Sequence, residues 1–154
     1  MFKKLTQFVG FVGIEVQVDI NREVSKEATQ IEGKIRVTAT QDQSINKVKI
    51  EMYQVKQEGS GSDHKTDKQR IGDLLLNQPF EIKNGETKEI PFVVPFQRQL
   101  SLKKKMSEQG GVMGLIGKAY SYSENERYDY WIEATVDVKG AAADPQGTQS
   151  LYFV

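Results

Sequence analysis

The sequence predicts an all-β, antiparallel β-sandwich of about seven strands. Three observations carry this: a hydrophobic period of two, turn chemistry between the periodic runs, and enough length to bury a core. Ile14, Val16, Val18 and Ile20 alternate with Glu15, Gln17 and Asp19, and Ile31, Gly33, Ile35, Val37 and Ala39 alternate with Glu32, Lys34, Arg36 and Thr38. Alternation of this kind puts one face on a core and the other in water. The 154 residues read as one domain, residues 1–154. A chain of that size removes roughly 70% of its unfolded surface from water and needs no metal or disulfide to stand.

Later elements follow in order. Val48, Ile50 and Met52 keep the period, which then shifts to Tyr53 and Val55 and predicts a β-bulge near Met52. Strands are expected near 70–76 and 87–94. The clearest one comes late, with Tyr128, Tyr130, Ile132, Ala134, Val136 and Val138 on one face and Asp129, Trp131, Glu133, Thr135 and Asp137 on the other. A final strand runs over 149–154. Lys83-Asn84-Gly85-Glu86 reads as a tight turn, because Asn and Gly tolerate positive φ. Residues 57–67 read as a polar hairpin tip and 141–147 as a loop.

Two segments resist the strand pattern. Phe2, Leu5, Phe8 and Val9 fall near helical spacing and predict a short N-terminal amphipathic helix. From Phe96 to Arg127 no strand is evident, and connections of that length tend to carry function. This one holds a basic patch of Arg98, Lys103, Lys104 and Lys105, then Val112, Met113, Leu115 and Ile116 among glycines.

Composition narrows the chemistry. With 21 basic and 21 acidic residues no global field draws the chain to nucleic acid, and none is expected as a partner. Cysteine is absent, which removes thiol catalysis, thiolate metal sites and disulfides, and suits a reducing compartment; the expected location is cytoplasmic. The N-terminus starts basic, but its apolar part is broken by Thr6 and Gln7 and no small-residue cleavage site follows, so it reads as mature sequence. No run reaches the ~20 apolar residues of a membrane span.

A phosphate loop needs G-x-x-x-x-G-K-[ST], so that amides cradle phosphates and a hydroxyl reaches magnesium. Gly111 to Gly117 is one residue too long, and Ala119 stands where the hydroxyl should be. Asp63, His64 and Asp67 have metal-compatible side chains but sit in the Gly/Ser-rich tip, where a solvated loop is the simpler reading. With one histidine in the chain, no further histidine-based triad can be assembled. Glu124, Glu126 and Asp129 read as a solvated strand end rather than a glycosidase pair. The expectation is therefore no catalytic, cofactor or metal residue, and no cofactor.

Candidate contact residues remain. Lys103, Lys104 and Lys105 could meet an anionic surface, although no aromatics are interleaved for base stacking. Val112, Met113, Leu115 and Ile116 either cap an open end of the sandwich or form a partner-contacting tip. Trp131, on the polar face of its strand, either covers the sheet or anchors an interface.

Pro79-Phe80-Glu81-Ile82, then Asn84-Gly85-Glu86, then Ile90-Pro91-Phe92-Val93-Val94-Pro95 is similar to the middle of arrestin-like N-terminal domains. Residues 130–138, Ala143-Asp144-Pro145 and Leu151-Tyr152-Phe153-Val154 resemble the last two strands of that immunoglobulin-like domain. Within that group the chain resembles bacterial sporulation-control proteins of the stage-zero M type, whose start is similar to Phe2-Lys3-Lys4-Leu5. The resemblance covers most of the chain, while longer family members carry a second sandwich domain. It implies a non-enzymatic adaptor, scaffold or regulatory role, with a protein partner reached through strand edges or the 97–127 connection. The alternative is a peripheral membrane factor using Phe2, Leu5, Phe8, Val9 and the same connection. A homo-oligomer is compatible with either.

Overall fold

The computed structural model describes residues 13–59, 65–100 and 127–154. The helix expected over 2–10 lies outside them, as do Asp63, His64, Lys103, Lys104, Lys105, Val112, Met113, Leu115, Ile116, Glu124 and Glu126.

The described residues contain nine strands: β1 Ile14–Ile20, β2 Glu23–Val24, β3 Gln30–Ala39, β4 Gln43–Glu58, β5 Lys65–Leu76, β6 Phe80–Ile82, β7 Thr87–Pro95, β8 Arg127–Val138 and β9 Gln146–Phe153. All seven expected strands are present. The additional two, β2 and β6, have two and three residues, too few to display a period. One sheet has the order β1-β3-β7; the other has the order β2-β9-β8-β4-β5, with β6 also on β4. Pairing is antiparallel except for the short β2–β9 pair.

The apolar faces of the two sheets meet in a single core that includes Ile14, Val16, Ile35, Val37, Ile50, Met52, Ile132 and Val136, each essentially inaccessible. Each such side chain contributes about 1.5–3 kcal/mol relative to exposure, so the alternating faces supply the main driving force. The turn at Lys83–Glu86 forms as its sequence requires, with Gly85 at φ 84 and the Lys83 amide donating to Glu86 Oε1 at 2.9 Å.

The expected bulge near Met52 is present, but its extra residue belongs to the neighbouring strand. Met52 faces Gly72 while Tyr53 faces Arg70, so Ile71 of β5 is the inserted residue. The period of β4 continues through this point: Gln54, at 2% exposure, is the next inward side chain, and Tyr53 and Val55 face outward. A separate shift lies earlier. Ile45 faces Val138 and Lys47 faces Asp137, so Asn46 is the extra residue that moves the inward set onto Val48, Ile50, Met52 and Gln54.

The Ile71 bulge also ties the sheets together. Its carbonyl accepts from the Gln97 amide at 3.0 Å, and Gly72 approaches so closely that a Cβ there would lie 2.4 Å from the Pro95 oxygen. At the other seam Gly147 approaches β1, where a Cβ would lie 2.4 Å from the Val16 oxygen.

The free edge of β7 is short of donors. Hydrogen bonds Ala39 N to Glu86 O and Phe96 N to Thr29 O bracket the β3–β7 ladder, so even-numbered residues of β7 turn their amides to β3 and odd-numbered ones outward. Two of the outward positions are Pro91 and Pro95, which have no N–H. Strand addition at this edge, one of the contact modes expected from sequence, meets an interrupted ladder.

Candidate functional site

Of the candidate contact residues, Trp131 is the one within the described residues. It lies in the middle of β8 on the outer face of the six-stranded sheet, as the alternation requires, because Tyr130 and Ile132 on either side are buried. Directly across on β4 is Tyr53, and on β9 Ser150. The Tyr53 and Trp131 rings stack with centroids 5.5 Å apart and planes 26° apart. Cross-strand aromatic pairs of this kind add about 0.2–1 kcal/mol to a ladder. Lys68, from β5, holds its ammonium 4.5 Å from the Tyr53 centroid and 5.5 Å from that of Trp131.

A row of carboxylates adjoins the rings. Asp73, Glu51 and Glu133 stand opposite one another across β5, β4 and β8. Glu51 is only 6% exposed although it is on the outer face. Arg70 reaches its Oε2 at 3.0 Å and Lys49 its Oε1 at 3.8 Å. Tyr53 leans on the same group: burial first, then the charge of Glu51 and the hydrogen bond to it, raise the phenol above its ordinary value. Glu51 and Asp73 likewise hold the Arg70 guanidinium charged, the hydrogen bond to Glu51 leading. Asp129 accepts from Gln57 Nε2 at 2.7 Å and lies 3.7 Å from Arg127 Nε.

Two other features were open to sequence reasoning only in part. Between β5 and β7, beyond the point where the bulge joins them, a cleft of about 490 Å³ is lined by Val48, Leu75, Leu76, Phe80, Ile90 and Pro91, with Leu75 52% exposed. Where the long connection begins, the chain is pinned: Arg98 lies 4.2 Å over the Phe153 ring and donates to the Lys26 carbonyl at 3.1 Å. The Gln54 carboxamide binds the main chain of Gln99.

No group of three or more His, Cys, Asp or Glu among the described residues could hold a metal ion. No helix among them is long and apolar enough to cross a membrane.

With this geometry in view, comparison with known proteins is decisive for the family. A family model, Spo0M, described as SpoOM protein, matches residues 2–151. The chain belongs to the Spo0M family. Its fold is shared with the crystal structure of Spo0M, sporulation control protein, from Bacillus subtilis, at a TM-score of 0.59 and 11% identity over 91% of this chain. At that identity the likeness speaks for the arrestin-like sandwich alone. The chain corresponds to 48% of the length of the Bacillus protein, about half. No curated protein sequence matches it closely. The stage-zero M resemblance in the sequence is thus established at the level of family and fold.

Trp131 is legible in the sequence but its partner Tyr53 is not, because the period in the sequence sends Tyr53 inward. Nor are Lys68, Glu51 or Glu133, because their meeting depends on register between strands far apart in the chain.

Proposed function

We propose that this Spo0M-family chain is a non-enzymatic interaction module, an adaptor or regulatory scaffold in the cytoplasm, which grips a protein partner on the outer face of its six-stranded sheet. The stacked Tyr53–Trp131 pair carries the reading. Half-buried aromatics in the middle of a sheet, ringed by charged side chains, match the composition of interface anchors, where Trp, Tyr and Arg dominate. The donor-poor β7 edge favours contact through a face over contact through that strand. The expected contact residues Lys103, Lys104, Lys105, Val112, Met113, Leu115 and Ile116 remain part of the proposal as a second contact region.

Photo-crosslinking in the native host tests the site. A benzoylphenylalanine at position 150, directly across from Trp131 on β9, is expected to capture a defined protein, and one at position 17, on the outer face of the three-stranded sheet, is not. Capture at 17 and none at 150 would move the contact to the other sheet and sink this assignment.

A further inference from the structure

Glu133 is the member of the carboxylate row that is both without an ion pair among the described residues and on the strand of Trp131. It faces Glu51 across the β4–β8 ladder, and like charges in that relation destabilise a sheet. The charge of Glu51 is met by Arg70 and Lys49, whereas no ion pair to Glu133 or Asp73 occurs among the described residues. Along β8 the outward side chains are Arg127, Asp129, Trp131, Glu133, Thr135 and Asp137, three acids to one base, and that base is beside Asp129. Trp131 is two residues from Glu133, so the indole and the free carboxylate are neighbours on one face. An ammonium already lies against the rings, but it is the chain's own Lys68. Lys68 has the aromatic contact and no ion pair among the described residues.

We infer that Tyr53, Trp131 and Glu133 form a receptor for a lysine side chain of the protein partner, with Lys68 as a built-in occupant displaced on docking. This rests on the outer-face reading above. An incoming ammonium placed between the indole and Glu133 gains a cation–π contact and an ion pair together, where Lys68 makes only the first. The second contact is what favours a ligand of this chemistry over Lys68, and an uncharged side chain of the same length gains neither.

Trp131 is the single tryptophan of the chain, so its emission reads the site directly. The full chain is titrated with acetyl-Gly-Lys-Gly-Lys-Gly-amide and with the same peptide carrying norleucine for lysine. The lysine peptide is expected to change the emission saturably and the norleucine peptide to leave it unchanged. Lys68→Ala, which empties the rings, should tighten lysine-peptide binding by about threefold or more, as removing a competing internal state does. Glu133→Gln should weaken it by a similar factor, with urea midpoints confirming that both variants fold. Equal responses to the two peptides, or Lys68→Ala binding no tighter than wild type, would overturn the inference. So would an emission change driven by protein concentration alone, which would make a second copy the occupant. Crosslinking from position 150, beside an intact Trp131, that persists unchanged in Lys68→Ala and Glu133→Gln would retain the outer face as the contact and reject only the lysine receptor.

Discussion

Gln54 and Gln99, 45 residues apart, form a side-chain imitation of a β-bridge: Gln54 Nε2 donates to the Gln99 carbonyl at 2.7 Å, and Gln54 Oε1 accepts from the Gln99 amide at 3.0 Å. Gln54 occupies the inward position that follows Met52, so a polar group is placed where the period calls for an apolar one. The cost of burying the carboxamide is offset because both of its ends are satisfied. With Phe96 N on Thr29 and Gln97 N on Ile71, the contact fixes the exit of the chain from β7 into the long connection.

Gln54→Leu fits the volume but removes both hydrogen bonds to the Gln99 main chain. A loss of about 1–3 kcal/mol is expected, from two hydrogen bonds of about 0.5–1.5 kcal/mol each. Hydrogen exchange at the Gln99 amide should accelerate well before exchange in β3 or β8. Uniform acceleration across all strands would mean that Gln54 supports the core and not the exit segment.

Gly147 and Gly85 separate two reasons for glycine. At Gly147 an added Cβ meets backbone, 2.4 Å from the Val16 oxygen, which cannot move without shifting β1. At Gly85 nothing lies within 4 Å, and the constraint is the φ of +84. Gly147→Ala should cost about 2–3 kcal/mol by overpacking, and Gly85→Ala about 1–2 kcal/mol through its left-handed backbone. Thermal melts of the two variants should rank in that order, Gly147→Ala lowest. The reverse order would show that the β1–β9 seam relaxes freely.

The alternation in 14–20, 31–39 and 128–138 made the sandwich legible, since each strand reports its own buried face through neighbours two residues apart. The error at Tyr53 shows where that signal stops. The phase of β4 that turns Gln54 inward is set by Asn46 against β8, and its burial is matched by Gln99; neither fact is local. Trp131 could be singled out as an aromatic on a polar face, but the role proposed for it depends on Tyr53, Lys68 and Glu133 arriving from register across three strands.

Tyr53 offers a titration that reads the outer face. Its phenol is raised above the ordinary 10.0 by burial first, then by Glu51 through charge and hydrogen bond, then by Glu133, with Arg70 opposing. Because the folded value lies above the unfolded one, its contribution to stability is complete below the unfolded value and is lost as pH rises through the folded one. Absorbance in the phenolate band should show a late-titrating tyrosine that Tyr53→Phe removes. Glu51→Gln should bring it only part of the way back, since burial persists. A full return to the ordinary value would make Glu51 the dominant cause.

Pro91 and Pro95 leave gaps in the outward donors of β7, and Lys88 turns inward with its ammonium 5.7 Å over the Phe80 ring. Both features are devices that keep an edge strand from pairing with another chain. Pro91→Val restores an N–H at an outward position and adds a strand-favouring side chain, without removing a bond to β3. Size-exclusion chromatography with light scattering should then show concentration-dependent self-association in Pro91→Val, stronger in the double variant with Pro95→Val, and little in wild type. The urea midpoint of the dilute monomer should stay near that of wild type, because the edge makes no ladder that the substitution could strengthen. If the double variant remains monomeric, the inward Lys88 is the guard at this edge, and Lys88→Val added to it should release the association.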